Sequence, residues 1–96
     1  MKKSLMQAER FSLITFATTF NALKAEKELH AIAADFLLIP VLREISSGCG
    51  LSIMFFQEHL PEYYDRLKER QVIVEGVYLV EKLNGGLVIN KVNEKN

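Results

Sequence analysis

Phe36-Leu37-Leu38-Ile39-Pro40-Val41, the nine residues 42–50, and Leu51-Ser52-Ile53-Met54-Phe55-Phe56 decide how this chain folds. Two short apolar runs flank a polar, glycine-bearing loop. Each run is rich in β-branched or aromatic residues, is too short for a typical helix, and reads as a strand. Pro40 cannot donate to a ladder, so the first strand is expected at a sheet edge or at a strand end. The second carries apolar residues at nearly every position and reads as a central strand covered on both faces.

Upstream, Ser12-Leu13-Ile14-Thr15-Phe16 has the same character and reads as an earlier central strand. Thr18 and Thr19 then offer N-cap hydroxyls. Phe20 to Ala34 reads as a helix, because Ala22, Ala25, Leu29, Ile32 and Ala33 recur at three- and four-residue spacing. Its small alanines would let it approach the sheet closely. Downstream, Glu58 to Arg70 reads as a second helix with Leu60, Tyr63 or Tyr64, and Leu67 inward. Pro61 is tolerated only in the first turn, so this helix should begin at about Leu60. Val77–Leu83 and Leu87–Val92 read as strands joined by Asn84-Gly85-Gly86, a strong hairpin signal.

The order β-α-β-β-α-β with one extra C-terminal strand places the chain in the α/β (α+β) class. The pattern predicts a ferredoxin-like sandwich with strands one and three central. Residues 11–92 are expected to form a single domain, with 1–10 and 93–96 as flexible termini.

Composition narrows the function. The chain has 96 residues and 49% hydrophobic content, enough for one core without a disulfide or metal staple. One cysteine suits a reducing compartment, so a cytoplasmic location is expected. Twelve basic and twelve acidic residues cancel, which leaves no electrostatic footprint for nucleic acid or a membrane surface. No apolar h-region follows Lys2-Lys3, and no apolar run approaches the ~20 residues of a membrane span.

Chemistry concentrates in the loop Leu42-Arg43-Glu44-Ile45-Ser46-Ser47-Gly48-Cys49-Gly50. Glycines on both sides of Cys49 permit positive φ and close approach of another molecule. Several N–H groups in such a turn can form an anion-binding nest, which favours a thiolate. Arg43 could add a full positive charge if the loop folds back. The plainer reading is that a lone cysteine is a small buried hydrophobe. From the residues alone the two readings stand level. His30 and His59 make no zinc spacing with a single cysteine, and each reads as a surface histidine more readily than as a partner of Cys49. Asp35 and Glu44 do not form an acid/base dyad. No Gly-x-Ser-x-Gly elbow, Walker motif or dinucleotide fingerprint is present. No cofactor and no metal are expected.

Two segments resemble the selenium/sulfur carrier-like family of small bacterial proteins. One is Ile39-Pro40-Val41-Leu42-Arg43-Glu44-Ile45-Ser46-Ser47-Gly48-Cys49-Gly50-Leu51. The other, at the opening of the first helix, is Thr18-Thr19-Phe20-Asn21-Ala22-Leu23-Lys24-Ala25-Glu26. The resemblance runs from about Phe11 to Tyr78. It departs at Leu42, where the family commonly has proline, and the C-terminal hairpin lies largely outside it. The resemblance implies a carrier rather than a true enzyme. Cys49 would hold sulfur or selenium as a persulfide or perselenide. Arg43, Glu44, Ser46, Ser47, Gly48 and Gly50 would form the supporting loop, and a cysteine desulfurase and selenophosphate synthetase would be the partners. The alternative is a non-catalytic module that binds a small molecule or anion. A cysteine-dependent hydrolase or redox sensor is a weaker third reading, since no resolving cysteine exists. An exposed edge strand would also allow a homodimer.

Overall fold

A computed structural model describes residues 4–92. Seven main elements follow in chain order: β1 (Arg10–Thr15), α1 (Thr19–Ala31), β2 (Leu37–Pro40), β3 (Leu51–Phe55), α2 (Leu60–Glu69), β4 (Gly76–Leu83) and β5 (Gly86–Lys91). Two 3-10 turns, Leu5–Gln7 and Gln57–His59, precede β1 and α2. The fold is mixed α+β. Its one sheet has the order β2-β3-β1-β4-β5, and all neighbouring strands are antiparallel. β1 and β3 are interior, and β2 is an edge strand ending at Pro40. β5 lies beside β4, so the sheet is not a simple four-stranded one.

Period-two alternation divides the apolar side chains between two cores. Ile14, Phe16, Ile53, Phe55 and Val77 face α1 and α2, meeting Ala22, Ala25, Leu29, Tyr63 and Leu67. Phe11, Leu13, Met54 and Val80 face the other way. Among the described residues neither α1 nor α2 packs on that second face; Ala8 and Ile45 do. The continuous apolar runs of β1 and β3 are therefore explained by burial on both sides. Ahead of the expected domain start at Phe11, Leu5 and Ala8 are buried and Arg10 opens β1. The expectation for 93–96 lies outside the described residues, as does that for 1–3.

Helix α1 starts as expected, with the Thr18 hydroxyl accepting from Asn21 N at 3.3 Å. It stops at Ala31, three residues before the expected Ala34. Ala33 turns left-handed (φ 54°), and Ala33 N and Ala34 N donate back to His30 O and Leu29 O. This is a Schellman closure made without glycine, and it leaves Ala33 exposed rather than on the buried stripe. α2 ends the same way through Gln71 (φ 62°), with Val72 N donating to Leu67 O. α2 begins at Leu60 with Pro61 in its first turn, as expected. Tyr63 is the inward tyrosine, and its hydroxyl accepts from Asp35 N at 3.0 Å. The hairpin turns at Asn84 (φ 47°) and Gly85 (φ 82°). Two consecutive positive φ values mark the type I′ geometry that suits strand twist.

Candidate functional site

The loop between β2 and β3 is fastened at several points to the end of β1. Val41 N donates to Gly50 O at 2.9 Å and closes its mouth. Ile45 N donates to Leu42 O at 2.9 Å, and the Ile45 side chain is buried on the second sheet face. At the tip, the Phe16 carbonyl accepts twice, from Ser47 Oγ at 3.0 Å and from Cys49 N at 3.3 Å. Gly48 passes so close to the chain just beyond β1 that a Cβ there would lie 2.4 Å from Ala17 O. Only glycine fits that crossing. Gly50 has φ +75° with open space around it, so its requirement is conformational instead.

Cys49 is the one cysteine and is half-buried against the helix-side core. Its Sγ accepts from Leu51 N at 3.4 Å and lies 3.6 Å from Leu51 O, to which a thiol S–H can donate. The expected nest is thus narrower than the glycine pattern suggests. Cys49 N is taken by Phe16 O, and Gly48 N donates to Glu75 Oε1 at 3.3 Å. One backbone donor, Leu51 N, points at the sulfur.

Arg43 and Glu44 stand in an exposed turn and form no ion pair or side-chain hydrogen bond among the described residues. The fold-back of Arg43 onto the thiol is not seen in the contacts of Cys49. Ser46 is exposed, whereas Ser47 helps to anchor the loop. His59 sits past the far end of β3, about 17 Å away for five residues at ~3.3 Å each. There it stacks on Tyr63 at 5.0 Å and approaches Glu62 Oε1 at 3.9 Å. His30 lies beside Phe36 and Glu26. Neither histidine serves Cys49. Among the described residues, no three His, Cys, Asp or Glu side chains converge as a metal set would. No helix among them is long and apolar enough to cross a membrane.

Glu75 is the neighbour that the sequence reading overlooks. Its backbone N donates to Thr15 O at 2.8 Å while its carboxylate holds Gly48 N. The signal was positional. Strand β4 starts opposite Thr15, so the residue before it must lie at the end of β1, under the Cys49 loop.

Fold and site together define a small α+β protein that holds a single thiol in a fastened loop at the end of its sheet. The family model described as "Putative Se/S carrier protein-like" matches residues 11–79, and the chain belongs to that family. The match takes in the whole Cys49 loop and ends within β4, leaving β5 outside. No curated protein and no solved structure gives a significant match.

Proposed function

We propose that the protein is a chalcogen carrier whose carrying atom is Cys49 Sγ. The observation that carries this reading is the loop itself. Its backbone is tied to Phe16, Ala17 and Glu75, yet the thiol is only half-buried and receives a backbone N–H. An inert core cysteine needs none of this. Membership of the family supports the cargo.

The exchange balances without metal, general base or oxidant. The Cys49 thiolate attacks the outer sulfur of a donor persulfide, R–S–SH. A new S–S bond forms at Sγ, the donor's S–S bond breaks, and the donor leaves as the thiolate R–S⁻. Cys49 then carries –S–SH and passes the outer sulfur to an acceptor thiolate by the same step. Selenium in place of the outer sulfur follows the same course. The Leu51 N–H steadies the Cys49 thiolate when it is the attacking and the leaving group. Ser47, Gly48 and Gly50 shape the loop; Arg43, Glu44 and Ser46 form its exposed approach. A cysteine desulfurase fits as donor and selenophosphate synthetase as a selenium acceptor, in the cytoplasm. We also read β2-β3-β1-β4 as a ferredoxin-like core to which β5 is added, and residues 11–92 as one domain.

Incubation with a cysteine desulfurase and cysteine, followed by intact-mass spectrometry, tests this reading. The expected product is protein heavier by one sulfur atom, lost on reduction and absent from Cys49→Ser. Wild-type protein left unmodified by the desulfurase and by a low-molecular-weight persulfide alike would sink the reading. The second reading, a small-molecule binding module, would then stand, with ligand binding unchanged in Cys49→Ser.

A further inference from the structure

Helix α1 buries one face and leaves the opposite one bare. Ala22, Ala25 and Leu29 are fully buried against the sheet. Phe20, Leu23, Lys24 and Lys27 recur at three- and four-residue spacing on the outer side, where they line an open groove of about 400 Å³ with Glu28. Phe20 is 72% exposed, an unusual position for a phenylalanine with no structural task.

The charge of this groove is one-sided. Glu28, its one acidic member, is already engaged by Arg66 of α2 at 3.3 Å and by Arg70, the C-cap of α2, at 3.5 Å. Lys24 and Lys27 form no ion pair among the described residues. The groove therefore offers an apolar anchor point followed by two uncompensated cations. Its apolar end also lies near the thiol. Phe20 follows Ala17 by three residues, at most about 11 Å along the chain, and Ala17 is the residue that Gly48 presses against. Ile73, 69% exposed, adds apolar surface beside it, since Ile73 N donates to Asn21 Oδ1 at 3.0 Å.

We propose that this face of α1 docks the protein that delivers sulfur to Cys49, through a segment presenting an apolar side chain flanked by carboxylates. The proposal rests on the carrier reading. A small persulfide needs only the thiol, whereas a protein donor must be held while its persulfide reaches Sγ. Charge complementarity at such a surface acts mainly on encounter and orientation.

Two donors supply the test: purified cysteine desulfurase with cysteine, and a low-molecular-weight persulfide. Both give Cys49–S–SH, read by intact mass against time. For the Lys24→Glu/Lys27→Glu variant, loading from the enzyme should slow by at least about tenfold, and by less in Lys24→Gln/Lys27→Gln. Phe20→Ala should also slow it. Loading from the small persulfide should stay at the wild-type rate in all three, which excludes damage to the loop. Added salt should slow only the enzyme arm. Equal slowing in both arms, or no slowing in either, would overturn the docking face while leaving the carrier intact. Wild type loaded by the small persulfide but not by the enzyme would also overturn it, because the occupant named is a protein donor. Wild type loaded by neither would remove the carrier reading and the docking face together.

Discussion

Gly48 and Gly86 sit at opposite ends of the sheet and meet different surroundings. A Cβ on Gly48 would lie 2.4 Å from the Ala17 carbonyl oxygen, whereas one on Gly86 would find nothing nearer than Leu83 O at 3.7 Å. Around Gly48 the chain is held by Phe16 O, Glu75 Oε1 and the buried Ile45. Around Gly86 the hairpin projects past the start of β1, and Leu83, Leu87 and Val88 are exposed. The difference separates two uses of a loop. The hairpin needs only to reverse the chain, and local turn geometry achieves that. The Cys49 loop must hold one atom at a set place, and long-range fastening achieves that.

Substitutions at matched positions can break this contrast. Ile45→Ala should cost the most, about 3 kcal/mol in urea unfolding, because it empties a buried site on the face that α1 and α2 leave uncovered. Leu87→Ala, at an exposed site, should stay within about 0.5 kcal/mol. Equal losses would mean that the loop is not anchored through Ile45. Gly48→Ala comes next, at about 2 kcal/mol, since the Ala17 backbone cannot move aside without shifting β1. Gly86→Ala has room and should be nearly neutral, within about 0.5 kcal/mol. A tolerant Gly48 would contradict the close crossing.

Glu75→Ala should have a smaller thermodynamic effect, about 0.5–1 kcal/mol, because an exposed hydrogen bond is partly replaced by water. Its kinetic signature should be plainer: faster hydrogen exchange at the Gly48 amide. Glu75→Gln keeps an acceptor oxygen and should sit between the two. The smallest effect expected has the opposite sign. Gln71→Gly relieves a left-handed residue and should stabilise by about 0.5 kcal/mol, the strain relief being partly offset by glycine's greater freedom when unfolded.

Much of the fold was legible because the chain uses local signals in their usual places. The unbroken apolar runs of β1 and β3, the Thr18 cap, Pro61 at the start of α2 and Asn84-Gly85 all point to what forms. The end of α1 was not legible, because Ala33 takes a left-handed conformation that sequence patterns assign to glycine, whereas α2 closes at Arg70 as expected. The placement of Ile45 was hidden for another reason. Its burial depends on a sheet face that α1 and α2 leave uncovered, which no local pattern records. Cys49 was legible as a candidate from its glycines. Its surroundings were not: Glu75 and the Phe16 carbonyl reach it only through the pairing of β1 with β4 and the crossing of Gly48.

The account depends above all on a thiol that is reachable while its loop stays fastened. The rate of Cys49 alkylation by iodoacetamide in the folded protein tests this most directly, compared at one pH with the same protein in denaturant and with its unfolding rate. The account predicts labelling of the native state far faster than global unfolding, with first-order dependence on reagent. Labelling that occurs only at the rate of unfolding, whatever the reagent concentration, would make Cys49 an inert core residue and contradict it.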